Sequence, residues 1–285
     1  MSAGDREMAI VETDRAKSVT ASNNAAAARG TSRRVRMISA QIAIGILLVG
    51  AWEFLVKIGL LDPFFFSDPW SVGKKIWEWF ATGSIFPHLE ATALASLLAF
   101  VIGVIVGLVF GVLLGRVRIL AELADPYIKM LNALPRLVLA PIFLLWFGIG
   151  IWSKVALGVT LVGFIVFFNT FEGVRSVSKV HVRNSRMLGA SETQLLRSVY
   201  IPSAFGSIFS SLHTSVGFAI IGAVVGEYLG AVRGMGYLIA QAQGTFQTDT
   251  VMAGLIVLMV FVLVIEFFVT IAEKRLLAYR QAEKD

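Results

Sequence analysis

Six apolar runs, each close to the ~20 residues that a helix needs to cross the hydrocarbon core of a bilayer, constrain this 285-residue chain more than any other feature. They fall at 37–55, 89–114, 123–148, 154–174, 203–229 and 251–272. Backbone that crosses lipid must satisfy its hydrogen bonds internally, so runs of this kind predict an all-α polytopic membrane protein with six transmembrane helices. The third run is interrupted by Lys129, Pro135, Arg136 and Pro141, and its prolines predict a break or kink. Composition agrees with a membrane class. The chain is 56% hydrophobic and 15% charged, against roughly 25% charged in an ordinary soluble domain. That excludes most soluble enzymes and nucleic-acid binders. With no cysteine, disulfides, thiolate metal sites and cysteine nucleophiles are excluded as well.

The charges give an orientation. Residues 1–36 are polar, alanine-rich and without apolar periodicity, which predicts a disordered tail. Arg33, Arg34 and Arg36 lead directly into the first apolar run, a pattern that suits an uncleaved span and lacks the short core and cleavage site of a secretory signal. With the N-terminus inside, twenty Lys/Arg fall on the inner side and five on the outer. By the positive-inside rule both termini are then cytoplasmic. The net charge of +6 and the pI near 9.7 thus read as topology, with no nucleic-acid partner.

Between the first two spans lie Pro63, Pro69, Phe64 to Phe66, Trp70, Trp77 and Trp79. Aromatic residues of this sort favour the headgroup layer, and 72–80 suits a short interfacial helix. The segment reads either as a membrane-surface connector or as a docking surface for an external partner. In the second span Gly103, Gly107, Gly111 and Gly115 recur at strict four-residue spacing, which cuts a smooth groove for close approach of another helix. Beside the predicted break in the third span stand Asn132 and Arg136, and Glu227 lies at the outer end of the fifth. Ionisable residues at membrane depth line cavities or pair with one another. These three are candidates for a translocation path or gate, against a reading of Arg136 as a side chain snorkelling to the headgroups.

The stretch from 175 to 202 is too charged to span, yet Met187, Leu188, Leu195, Leu196 and Val199 recur at helical spacing around Gly189. Two short helices meeting at a glycine turn make an apolar-faced cytoplasmic knob, and docking into another protein is a reason to build one. Here the chain resembles the permeases of binding-protein-dependent ABC importers. Their signature is Glu-Ala-Ala, three residues, Gly, nine residues, then Ile-x-Leu-Pro. Arg183-Asn184-Ser185 stands in place of Glu-Ala-Ala, while Gly189, the nine-residue gap and Val199-Tyr200-Ile201-Pro202 follow the pattern. The departure at 183–185 leaves the contacts of those three positions open. The resemblance covers about 40–280, including Leu144 to Gly150, Asn169 to Arg175, Gly226 to Gly230 and Gly234 to Ile239, and points to the nitrate/sulfonate/taurine-type branch.

That resemblance implies a division into a cytoplasmic tail (1–36), a first transmembrane helix with an aromatic-rich periplasmic connector (37–88), a permease core of five transmembrane helices (89–276) and a C-terminal cytoplasmic tail (277–285). It implies a coupling-helix loop between spans four and five, with Arg183, Asn184, Ser185, Arg186, Leu188, Gly189, Ala190, Ser191, Glu192 and Pro202 as coupling residues. The partners implied are a second copy in a homodimer, two ABC ATPase subunits, a periplasmic or lipid-anchored solute-binding protein and membrane lipid, in the bacterial inner membrane. The chain itself has no Gly-x4-Gly-Lys-Ser/Thr loop, because Gly73-Lys74-Lys75 lacks the upstream glycine and the hydroxyl. A cofactor in this chain is therefore not expected; ATP and Mg are expected on the partner ATPase. The expected function is a permease subunit, not an enzyme, carrying a small anionic solute. The alternatives are an ATP-independent secondary carrier or channel, which leaves the knob unexplained, and an intramembrane serine protease. The latter would rest on Gly189-Ala190-Ser191 and His213, but Glu192 follows the serine where such a protease has glycine. The other histidines, His88 and His181, have no metal-ligand partners at helical spacing.

Overall fold

The computed structural model describes residues 36–282, with side chains to 272 apart from Arg118 and Lys179. The predicted tail at 1–35 and the last residues, 283–285, lie outside the described residues. No strand occurs among those described. The chain divides into two compact units, 1–69 and 70–285.

The first unit contains α1 (Arg36–Lys57), which is long and apolar enough to cross a membrane, and the single-turn α2 (Pro63–Phe66). Asp62 caps α2, its carboxylate accepting from Phe64 N.

The second unit opens with α3 (Pro69–Thr82). Its Trp70 and Trp77 are exposed whereas Val72 and Trp79 are buried, the two-sided character that suits an interfacial helix. Then come α4 (Phe86–Arg116) and α5 (Arg118–Ala133). A 3-10 turn, Arg136–Leu139, leads into α6 (Ala140–Phe147) and the long α7 (Ile151–Arg175). The knob follows as α8 (Lys179–Met187) and α9 (Glu192–Leu195). A π turn at Leu196–Tyr200 joins α9 to α10 (Ile201–Leu229). The chain closes with α11 (Met235–Gly244) and α12 (Thr248–Ala282).

Among the described residues five helices are long and apolar enough to span a membrane, and the count reaches six if the pair 119–133 and 136–147 makes one. That pair is bent by 86°. The expected kink is therefore a near right-angle turn. Leu134 and Pro135 are both extended at the break, as expected for the residue before a proline, which clashes in the α conformation.

Three helices form the centre, with α4 along α7 and α10 against both. They approach closely because glycine faces bulk. A Cβ built on Gly103 would lie 2.7 Å from Val162 Cβ, one on Gly107 2.7 Å from Val166 Cβ, one on Gly111 2.6 Å from Thr170 Cβ, and one on Gly115 2.8 Å from Val174 Cβ. Each β-branched residue of α7 thus fills the hollow left by one glycine of α4. On its other side α7 meets Gly222 and Gly226 of α10, where a Cβ on Gly226 would sit 2.9 Å from Lys154 Cα. In lipid, where tails are as apolar as leucine, this shape fit is the main attraction between helices. Several hydroxyls within the spans are turned back on their own helix: Ser96 donates to Thr92 O at 2.7 Å, Thr160 to Leu157 O at 2.7 Å and Ser211 to Ile208 O at 2.6 Å.

Candidate functional site

The knob is set by two local signals. Gly189 has φ +83°, its N donates to Arg186 O at 3.0 Å, and Ala190 N donates to Ser185 O at 3.0 Å. This pair of bonds is a Schellman motif ending α8, and its left-handed residue is normally glycine. Three residues later α9 starts with a capping box. Ser191 Oγ accepts from Gln194 N at 3.3 Å, and Gln194 Oε1 accepts from Ser191 N at 2.7 Å. Ser191 Oγ thus serves as the N-cap of α9. On the turn between the two helices Met187 and Leu188 are 85% and 89% exposed. Arg183, Asn184 and Arg186 are exposed on α8, and Ser185 is half-buried.

Beyond α9 the helix does not stop. Residues Glu192–Leu229 run as one continuous helical rod, so the second helix expected in the knob and the span expected at 203–229 are a single element. Pro202 has no N–H to offer the preceding turn, and the backbone widens into the π turn at Leu196–Tyr200 just ahead of it, a device common at functional sites.

Glu192 is shared between two arginines. Its Oε2 accepts from Arg116 Nη2 at 2.8 Å and its Oε1 from Arg186 Nη2 at 2.8 Å. Arg116 Nη2 also lies 3.4 Å from Glu192 O, and the guanidinium sits 5.5 Å from the Tyr200 ring centroid. These groups edge a cleft of about 600 Å³ whose wall is Leu108, Val109, Val112 and Leu113 of α4. Arg116 closes α4, 76 residues before its partner, and nothing local in the sequence marks it.

A second polar cluster lies at the opposite ends of the spans. Glu227 is fully buried. Its Oε2 accepts from Thr92 Oγ1 at 2.8 Å and from Gly236 N at 3.1 Å. Thr92 Oγ1 in turn accepts from Met235 N at 2.9 Å. His88 Nδ1 lies 3.1 Å from Gly234 O and 3.2 Å from Gly234 N, and its ring stacks on Tyr237. Gly234 has φ +124°, and a Cβ there would fall on the Glu227 carboxylate. Lys154, buried at the start of α7, reaches Arg233 O at 3.5 Å. The cluster ties α4, α7, α10 and α11 together. Of its members the sequence reading singled out only Glu227 and examined His88 for metal binding; Thr92 and Lys154 carry no motif.

At the break before α6, Arg136 Nη2 donates to Asn132 Oδ1 at 2.7 Å. Its guanidinium carbon lies 4.4 Å from the Phe164 ring centroid, a cation–π contact. Arg136 Nε is buried without a hydrogen-bond partner among the described residues. Asn132 and Arg136 therefore stand together, whereas Glu227 belongs to the other cluster.

Comparison with known proteins bears on this arrangement. The family model for the binding-protein-dependent transport system inner membrane component matches residues 99–278. The chain belongs to that family. Relatives along most of its length are transport permeases. The riboflavin transport system permease protein RibX of Chloroflexus aurantiacus is 32% identical over 82% of this chain and 87% of its own length. The taurine transport system permease protein TauC of Escherichia coli is 28% identical over 86% and 94%. The formylaminopyrimidine transport permease protein ThiX of Halalkalibacterium halodurans is 29% identical over 75% and 84%. Among solved structures, an inward-facing form of the MetNI methionine ABC transporter matches with a TM-score of 0.54 at 18% identity, covering 71% of this chain and 97% of the other. At that identity the likeness concerns fold. The chain is accordingly a multi-pass permease subunit of an ABC importer, from a family of inner-membrane transport components.

Proposed function

We propose that this permease carries a small anionic solute inward through a path shared by two copies of the chain, powered by ATP and Mg bound on a separate ATPase. In this reading both termini and the knob are cytoplasmic, the turn from Met187 to Gly189 docks on the ATPase, and a solute-binding protein delivers cargo at the Glu227 end. The observation that carries it is the knob: a turn held by Gly189 that presents Met187 and Leu188 almost fully to solvent. Apolar side chains so exposed on a small polar element mark a protein contact. ATP binding would draw two ATPase subunits together, and the docked knobs would follow. A nucleotide shifts the permease between states only by contacting them differently, and the knob is where that difference enters.

The test is co-purification of the detergent-solubilised chain with a candidate ABC ATPase subunit. The native chain is expected to retain the ATPase. Gly189→Pro, which cannot adopt the positive φ of the turn, is expected to lose it while still inserting in the membrane. A native chain that holds no ATPase and moves solute alone in liposomes would make it a secondary carrier.

The anionic character of the cargo is inferred from the family branch and from Arg136, whose Nη2 bonds Asn132 and whose buried Nε has no hydrogen-bond partner among the described residues. Hydrogen bonds to charged groups contribute roughly 1.5–3 kcal/mol, so Arg136→Gln is expected to reduce uptake of an anionic solute by about tenfold or more. Uptake measured with a simple alkanesulfonate anion and with riboflavin as probes would separate an anion site from a neutral one. Equal loss of both would show Arg136 to be a packing residue.

A further inference from the structure

Glu192 occupies a position that a docking surface does not require. Both of its carboxylate oxygens are engaged within the chain, one by the last residue of α4 and one by α8. The capping box fixes the backbone from which the carboxylate projects, and Glu192 is itself the first residue of the rod that becomes α10. Three elements therefore meet at one side chain. We propose that Glu192 is a positioning residue, a strut that passes displacement of the knob into α4 and α10 together, and not a contact with the ATPase. The inference rests on the importer reading above.

The packing shows why a strut is needed. α8 is joined to α7 by the short link 176–178, and the second arm of the knob reaches α10 through the π turn, where the helical register is irregular and bending is easiest. Without Glu192, α8 could swing about the Gly189 turn while α4 stayed behind. With it, α4 is held by the Arg116 pair and by the stacking of that guanidinium on Tyr200. Because α4 is seated in α7 through its four glycines, a push on α4 moves α7 as well. The pairs themselves are partly open to solvent, with Glu192 60% exposed. Exposed ion pairs add little to folding stability, so loss of the strut is expected to leave a folded permease that transmits poorly.

The experiment uses the permease–ATPase complex in proteoliposomes with its solute-binding protein, reading ATPase retention, ATP hydrolysis and solute uptake side by side. Glu192→Gln is expected to retain the ATPase and hydrolyse ATP at near the native rate. Uptake per ATP is expected to fall by about tenfold, within the usual range of coupling between sites. The reversed set Arg116→Glu, Arg186→Glu and Glu192→Arg restores opposite charges at all three positions. It is expected to recover most of that loss, which a merely disrupted fold would not do. If Glu192→Gln releases the ATPase, Glu192 is a docking contact and the strut is wrong. If uptake per ATP is unchanged, or the reversed set fails to recover it, the strut is wrong as well. If the native chain itself retains no ATPase, the importer reading falls and takes this inference with it.

Discussion

The most constrained single residue in the permease is Glu227. A fully buried carboxylate is expensive unless its oxygens are bonded, and Thr92 and Gly236 supply those bonds to Oε2 while Oε1 has no partner among the described residues. Glu227→Ala would leave the Gly236 N–H without its acceptor and the Thr92 hydroxyl with only His88 O, at 3.1 Å. Each unsatisfied buried group costs about 1–3 kcal/mol, so the variant is expected to unfold at a clearly lower temperature in detergent. Glu227→Gln keeps an amide oxygen for the same donors and is expected to lose less. Equal stability of the two would mean that the cluster contributes no net bonding. The sequence marked Glu227 because an acid at a span end is conspicuous. It could not mark Thr92, a common residue type that meets its partner across 135 positions. Nor could it mark Arg116, which reads as an ordinary basic residue at the cytoplasmic foot of a span.

Between helices, the α4–α7 contact makes the sharpest demand. Gly107 faces backbone as well as side chain: a Cβ there would stand 2.7 Å from Gly163 O and 2.9 Å from Phe167 N. Backbone cannot rotate away as a flexible side chain can. Gly107→Leu is therefore expected to force the two helices apart and give little monodisperse protein, checked by size-exclusion chromatography in detergent. Gly217→Leu in α10, where a Cβ meets nothing within 4 Å, serves as the control. The glycine spacing was legible in the sequence because a four-residue repeat always lies on one helix face. Its partner was not, since the matching ridge of Val162, Val166, Thr170 and Val174 looks like any β-branched stretch. The third span shows the converse. Pro135 announced a break, but the 86° turn depends on how α6 packs against α7, which local sequence does not encode.

At the scale of the whole molecule, the apolar runs, the knob and the family were all written in the sequence, because each is a local pattern of known length. The two polar clusters were not, because each joins residues that only folding brings together. Sidedness follows from charge and can be measured directly, since a chain without cysteine gives no background in thiol labelling. In the proposed orientation, Leu188→Cys is expected to react with a membrane-impermeant maleimide only in inverted vesicles, and Trp77→Cys only in intact spheroplasts. The opposite pattern would invert the topology and place the ATPase contact elsewhere. The glycine-lined contact also limits where anything can pass. With β-branched side chains of α7 facing the glycines from Gly103 to Gly115, α4 and α7 close on one another like the teeth of a zip, and the apolar hollow of about 330 Å³ that Gly107 and Gly163 edge lies beside the seam, lined by α5 as well. The solute is expected to travel along some other face of the bundle, since parting this seam would strip each β-branched side chain of its socket.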